Sequence, residues 1–313
     1  DVYKRQGDKE LVGAELKVFD ENKKIVDSWK SKETTHKIEG LEVGKTYTLE
    51  EKIAPNGFVK ATSIQFKVES KTEIQKVTMI DKIVSVSKQN IAGDEIEGAK
   101  LRIENENSEI VDSWTSTKEP HIVNGLEEGK KYILHEDLAP TGLNLANDIE
   151  FEVSYAKENQ KVEMIDTINE VSKVDEKGNL LKGAEMTVTS NKTKNIIDKW
   201  ISGQHIFDVT DEMKSQLKET GKVEGMYVDD EDSTVQYSIV KNKGKDDYTV
   251  MFVKDGVTTY TNIDLDGNET THRVQGLVAG EKYILRETKT PEEYVQAKEI
   301  EFTAGEDEDQ TLV

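Results

Sequence analysis

Hydrophobic and polar residues alternate along much of this chain with the two-residue period of a β-strand. Successive side chains of a strand point to opposite faces, so an alternating stretch places its apolar residues on one face. Two clear stretches are Ala14, Leu16 and Val18, and Ile64, Phe66 and Val68. Turns containing Gly separate such stretches, and short strands at this spacing are typical of a β-sandwich. We therefore expect an all-β fold over most of the chain.

One region, about residues 203–271, has a different pattern. Residues 211–219 are predicted to form a short helix, with Thr210 as its N-cap and Gly221 near its end. Further strands are expected around 235–241, 247–253 and 257–263, the last two joined by a hairpin turn at Asp255-Gly256. We interpret this region as an α+β insertion.

The sequence repeats at an interval of 85 residues, the distance from Gly13 to Gly98. A third copy begins on the same spacing, but its later landmarks are displaced, because Tyr132 is matched by Tyr283, 151 residues further on. The excess of 151 over 85 predicts an insertion of about 66 residues after Trp200. We predict three tandem modules, at residues 1–82, 83–167 and 168–313, the third carrying the insertion.

Charge and composition argue against several functions. The net charge of −21 disfavours nucleic acids and anionic membrane surfaces, because both need clustered Lys and Arg. With no cysteine, the chain can form neither a disulfide nor a thiolate metal site. No apolar stretch approaches the roughly 18 residues of a membrane span. We expect no cofactor, no metal site and no membrane insertion.

Ionisable residues stand at the ends of apolar, inward-facing rows. In the second repeat these rows are Tyr132, Leu134 and Glu136, then Val162, Met164 and Asp166, and also Val84, Val86 and Lys88. Because burying an unpaired charge is costly, Lys88, Glu136 and Asp166 should be in contact or neutralised. Two interpretations are open: the three residues form a plain buried ion cluster, or they react with one another.

These motifs resemble those of the Cna protein B-type (SpaA-like) repeat domains of Gram-positive surface adhesins and pilins. The resemblance rests on Lys88 after Val86-Ser87, on the segment from Tyr132 through Glu136 to Gly142, and on Val162 to Asp166. It implies Ig-like β-sandwich modules in an extended array. It also implies an intramolecular isopeptide bond between Lys88 and Asp166, with Glu136 as the general acid and base. Such bond formation is a single autocatalytic turnover, and no site for a turnover enzyme is recognised.

The other two repeats match this pattern less completely. In the first repeat, a second candidate set consists of Lys4, Glu51 and Asp81. The residue 85 positions before Lys88, however, is Tyr3 and not Lys4. The opening residues 2–6 resemble a translated sequencing-adapter string, so the N-terminus is interpreted as truncated or artefactual. In the third, Lys173 and Glu287 are present, but the spacing puts their acceptor at position 316. We interpret the C-terminus as truncated and expect no bond there.

Some polar clusters are predicted to be structural. His36, His121 and His272 share one repeat position, and sequential modules place them far apart, so we expect structural histidines and no metal site. The acidic run from Asp229 to Asp232 is interpreted as a solvated loop.

The resemblance implies a stalk or spacer of an extracellular adhesin or pilin that is anchored to the cell wall. Its expected partners are other modules of the same surface protein, with a host matrix protein or a carbohydrate as further candidates. Sortase would act only through the parent protein. The alternative is a ligand-binding adhesive module that acts through the insertion.

Overall fold

The computed structural model describes residues 1–229 and 231–313, so Asp230 of the acidic run lies outside the described residues. Over this part of the chain it contains 25 strands and one helix, which confirms the all-β prediction. Below, segment 1 denotes residues 1–82, segment 2 residues 83–167 and segment 3 residues 168–313. The described residues include no helix that is both long and apolar enough to cross a membrane.

Segment 1 consists of two facing sheets, with strand orders β2-β1-β7 and β4-β3-β5-β6. The first and last strands, β1 and β7, are parallel neighbours. The strands are β1 (Val2–Gln6), β2 (Lys9–Glu10), β3 (Glu15–Phe19), β4 (Ile25–Lys30), β5 (Thr46–Ile53), β6 (Ile64–Lys67) and β7 (Val77–Ile80). Apolar residues on the inner faces, such as Leu16, Leu49 and Met79, form its core.

Segment 2 repeats this arrangement, with sheets β10-β9-β12-β13 and β11-β8-β14. Its first and last strands are again parallel and stay paired from Ile83, opposite Asn159, to Asn90, opposite Asp166. The strands are β8 (Ile83–Asn90), β9 (Lys100–Asn105), β10 (Ile110–Thr115), β11 (His121–Ile122), β12 (Lys131–Leu138), β13 (Ile149–Glu152) and β14 (Asn159–Asp166).

Segment 3 has the same two sheets, β22-β15-β25 and β17-β16-β23-β24. Its own strands are β15 (Asn169–Val171), β16 (Glu185–Ser190), β17 (Ile196–Ile201), β22 (His272–Arg273), β23 (Lys282–Lys289), β24 (Ile300–Thr303) and β25 (Gln310–Leu312). The insertion between β17 and β22 adds α1 (Asp211–Thr220), β18 (Lys222–Val228), β19 (Thr234–Lys241), β20 (Tyr248–Lys254) and β21 (Val257–Ile263).

The insertion is an α+β unit with its own core, as its sequence pattern predicts. Thr210 caps α1 by accepting a hydrogen bond from the Met213 amide, and Gly221 ends the helix at a φ of 71°. Its four strands form one antiparallel sheet in chain order. The sequence did not predict β18, because Gly225 interrupts it and both Met226 and Val228 are exposed, which leaves no clear alternation.

A buried lysine and carboxylate site

Lys88, Glu136 and Asp166 meet inside segment 2. The Lys88 Nζ atom lies 3.0 Å from Glu136 Oε1 and donates a hydrogen bond to Asp166 Oδ1. The Lys88 side chain is only 1% exposed, and the two carboxylates are fully buried. A lysine buried to this extent is rare, because its ammonium loses hydration that a single partner does not restore.

Strand register explains the meeting of these three residues. In the parallel pair β8 and β14, Lys88 lies opposite Met164, and Asp166 is two residues further along on the same face. Glu136 reaches the same point from β12 in the facing sheet. The apolar neighbours Leu134 and Met164 are fully buried, so the three polar groups stand at one end of a dry core.

A backbone amide holds the glutamate of each segment in place. The Ala146 N–H donates to Glu136 Oε2 at 2.7 Å, and Ala61 and Ala297 do the same for Glu51 and Glu287 at 2.8 and 2.7 Å. We did not single out these alanines in the sequence. Their recurrence at intervals of 85 and 151 residues is the signal that would have identified them.

The electrostatics favour the uncharged forms of Asp166 in segment 2 and of Lys4 in segment 1. Burial raises the pKa of Asp166 well above its usual range, although the charge of Lys88 opposes this shift. In segment 1, burial lowers the pKa of the Lys4 amine, against the opposing effect of Glu51. Among the described residues, nothing donates a hydrogen bond to Asp166 Oδ2, which is also buried. A neutral amine beside a neutral carboxylic acid is the pair from which an amide can form.

Segment 1 contains the same arrangement. Lys4 Nζ lies 2.9 Å from Glu51 Oε1 and donates a hydrogen bond to Asp81, and all three side chains are buried. Lys4 lies opposite Met79 in β7, as Lys88 lies opposite Met164. The stretch from Lys4 to Ala14 is one residue shorter than that from Lys88 to Ala99, so the shorter β1–β2 turn compensates for the offset seen in the sequence.

Segment 3 brings together two of the three groups. Lys173 Nζ lies 3.5 Å from Glu287 Oε1, and the Lys173 side chain is 14% exposed. Val171 of β15 pairs with Leu312 of β25. If this register continued, the acceptor position would be residue 316. The expectation that no bond forms among residues 168–313 stays a prediction.

Each repeated histidine stacks on the repeated tryptophan and donates to an aspartate. The ring centroids of His36 and Trp29, His121 and Trp114, and His272 and Trp200 lie 4.0, 4.1 and 3.9 Å apart. Only His272 also contacts a second carboxylate, because its Nδ1 lies 2.8 Å from Glu269 of the insertion. Within residues 1–229 and 231–313, no group of side chains has the arrangement of a metal site.

Comparison with known proteins identifies the repeated unit. The family model described as SpaA, a prealbumin-like fold domain, matches residues 2–83 and again residues 82–168. No curated protein sequence matches the chain. The TIE protein of Bacillus anthracis aligns at 17% identity with a TM-score of 0.23 over 99% of this chain, which spans about half (49%) of that protein's length.

Two further solved structures are similar at the same low level. The shaft pilin SpaA of Lactobacillus rhamnosus GG aligns at 13% identity and a TM-score of 0.24, over 73% of this chain and 95% of that one. The C-terminal fragment of the pilus adhesin SpaC from the same organism aligns at 15% and 0.25, over 53% and 95%. TM-scores this low support no conclusion, so the two matches to the family model decide the family.

Proposed function

Because this chain belongs to the family of SpaA prealbumin-like fold domains, we propose that it is a structural repeat region of a bacterial surface pilin or adhesin, stabilised by isopeptide bonds between its own side chains. The burial of a Lys, a Glu and an Asp at one register position in both segment 1 and segment 2 carries this proposal.

The proposed reaction joins Lys88 to Asp166. The lone pair of Lys88 Nζ attacks Asp166 Cγ. At the same time Glu136, in its acid form, donates a hydrogen bond to Asp166 Oδ1, the oxygen that becomes the amide carbonyl. Glu136 then passes a proton from the amine to Oδ2, the Cγ–Oδ2 bond breaks, and one water leaves. An amine and a carboxylic acid thus become an amide and water. The packed fold supplies the effective concentration, so no other enzyme is needed.

The bond would connect the first and last strands of a segment. These strands, β8 and β14, are parallel neighbours, so a pulling force applied to the two ends of the segment would shear their hydrogen bonds. A covalent link between Lys88 and Asp166 would carry that force instead. From Asp81 only seven positions lead to Lys88, so little chain lies between the two linked regions. This arrangement suits a stalk or spacer.

The intact mass of the chain tests the proposal. We expect the intact mass to lie about 36 Da below the mass calculated from the sequence, because each of the two bonds releases one water of about 18 Da. Peptide mapping should recover Lys4 linked to Asp81 and Lys88 linked to Asp166, with Lys173 in a linear peptide as the internal control. A mass equal to the calculated value would mean that the residues remain an ion cluster.

The parent protein is proposed to act outside the cell, anchored to the wall through regions on which sortase acts. Other modules of that surface protein are the partners that the repeat architecture favours. A host matrix protein or a carbohydrate is proposed only for the parent protein, at a site that these residues do not identify.

For the insertion, the contacts favour a clamp over ligand binding. The Thr141 amide of segment 2 donates to the Thr258 carbonyl at 2.9 Å, and the Tyr260 amide donates back to the Thr141 carbonyl at 2.8 Å. The Glu97 amide of segment 2 also donates to the Tyr260 hydroxyl. Strand β21 of the insertion therefore fastens segment 2 to segment 3.

Removing the insertion should loosen this contact. We expect replacement of residues 201–271 by the sequence of residues 115–120, which joins the same two positions in segment 2, to speed hydrogen exchange of the Thr141 amide at least about tenfold. The Lys60 amide, which donates to segment 2 at the other junction, is the matched control and should not change. Unchanged exchange at Thr141 would contradict the clamp and favour the ligand-binding alternative.

A further inference from the structure

A short stretch of segment 2, residues 94–98, holds the backbone of the reacting lysine, and we call it the lysine clasp. The Ile96 amide donates to the Lys88 carbonyl at 2.8 Å, and the Lys88 amide donates to Glu95 Oε2 at 3.2 Å. Glu95 also accepts a hydrogen bond from the Ser87 hydroxyl. The placement of Lys88 at the end of the dry core therefore depends on residues that follow strand β8.

The same clasp recurs beside the lysines of the other two segments. In segment 1 the Leu11 amide donates to the Lys4 carbonyl at 2.6 Å, and the Lys4 amide donates to Glu10 Oε2 at 3.2 Å. In segment 3 the Leu181 amide donates to the Lys173 carbonyl at 2.8 Å. A contact that recurs beside each lysine, in three different local sequences, indicates that its role is to position the lysine.

In segment 2 the clasp also contacts the insertion of segment 3. The Glu97 amide donates to the Tyr260 hydroxyl at 3.3 Å. Gly98, at a φ of 92°, lies so close to the Thr258 side chain that the space between them would not admit a Cβ atom. In segment 1 the hydrogen bonds that the structure describes for the corresponding clasp, residues 9–13, all stay within that segment. The clasp of segment 2 is thus held from outside, and that of segment 1 is not.

Tyr260 also lies near the reacting carboxyl. A cleft of about 890 Å³ separates the insertion from segment 2, and Asp166, Tyr260 and Arg273 are among the residues that line it. Burial raises the pKa of Tyr260 to about 12, and the negative charge of Asp166 adds to this shift. The tyrosine therefore stays uncharged beside the site, and its hydroxyl can hold the clasp at any ordinary pH.

We propose that Tyr260 is a positioning residue for the bond between Lys88 and Asp166, through which the folded insertion of segment 3 speeds bond formation in segment 2. Its hydroxyl holds the clasp, the clasp holds the Lys88 backbone, and Lys88 Nζ is kept within reach of Asp166 Cγ. No bond is made or broken at Tyr260, and the released water leaves through the cleft. This inference rests on the proposed function, because it concerns the rate of the proposed reaction.

The contact would give the two bonds an order of formation. Segment 1 takes nothing from segment 2 at its clasp, so its bond can form as soon as the segment has folded. Segment 2 reaches its full rate only after the insertion, which comes later in the chain, has folded against it. A chain that folds from its N-terminus would therefore be linked in the same direction.

Tyr260→Phe tests the inference in the whole chain, because it removes the hydroxyl and keeps the ring. We expect the bond between Lys88 and Asp166 to form about fivefold more slowly, the effect of one lost hydrogen bond. The chain is made by cell-free synthesis, denatured at successive times and digested, and mass spectrometry measures the linked and unlinked peptides. The bond between Lys4 and Asp81 in the same molecules is the internal reference, and its rate should not change.

Two further variants bracket this result. Tyr227→Phe is the matched control, since Tyr227 lies in the same sheet but packs against Phe207 within the insertion. It should leave both rates unchanged. Replacement of residues 201–271 by the sequence of residues 115–120 removes Tyr260 and Thr258 together. It should slow the bond of segment 2 at least about tenfold and leave that of segment 1 unchanged.

Hydrogen exchange separates positioning from a general loss of stability. In a Glu136→Gln background, where no bond forms in segment 2, Tyr260→Phe should speed exchange of the Glu97 amide about fivefold and leave the β14 amides unchanged. Faster exchange throughout β14 would overturn the positioning role. Equal bond-forming rates in Tyr260→Phe and the unmodified chain would overturn it too, while leaving the proposed function intact. An unmodified chain in which neither bond forms would overturn both.

Discussion

Glu136→Gln is expected to leave Lys88 and Asp166 unjoined and to lower the free energy of unfolding of segment 2 by about 4–5 kcal/mol. That value is the chain-entropy estimate for a crosslink between residues that are 78 positions apart. Gln cannot pass the proton that the reaction requires, but its side-chain oxygen still accepts the hydrogen bond from the Ala146 amide. The loss of stability therefore reports the missing bond and not a collapsed site.

Native-state hydrogen exchange of the β8 and β14 amides measures the stability, and the intact mass reports the bond. The mass should rise by about 17 Da relative to the unmodified chain, because one water of about 18 Da is retained and the change from Glu to Gln itself removes about 1 Da. Glu287→Gln is the matched control: Glu287 is held by the Ala297 amide in the same way, but no bond is predicted beside it. A Glu136→Gln protein with the mass deficit of the unmodified chain would contradict the role given to Glu136.

Segment 3 is expected to lose roughly 3 kcal/mol of stability as the pH rises from about 6.5 to about 9, because one buried histidine gives up its proton. His272 is 7% exposed and contacts Asp198 and Glu269 at 2.9 and 2.8 Å. Burial alone would lower the pKa of His272, but the hydrogen bonds to the two carboxylates outweigh it and raise the pKa to about 9.

The sign follows from the folded pKa lying above the unfolded value. The stabilisation is complete below about pH 6.5, declines as the pH rises towards 9, and is absent above it. Denaturant unfolding of segment 3 at pH 6, 7.5 and 9.5 measures the slope. His272→Gln should remove it, whereas His121→Gln, at the same repeat position but facing one aspartate, should retain it. Equal slopes for the unmodified chain and His272→Gln would refute this assignment.

Much of the fold followed from local patterns. Strand alternation and the 85-residue repeat predicted the sandwich strands, and capping by Thr210 with a stop near Gly221 predicted α1. These signals are local, because the period of a strand and the cap of a helix are set by neighbouring residues. Strand β18 was missed because it is stabilised by its pairing with β19 and not by a pattern of its own.

The sequence by itself determined that a Lys, a Glu and an Asp stand at the ends of inward-facing rows in segment 2. Only the tertiary structure decided that Lys4 occupies the same place in segment 1, that alanine amides orient the glutamates, and that Val59 completes the core of the next segment. The physical reason is that these contacts join strands and segments distant along the chain. Their register is set by hydrogen bonding and packing between sheets, and a turn one residue shorter moves a side chain to another face without leaving a mark in local periodicity.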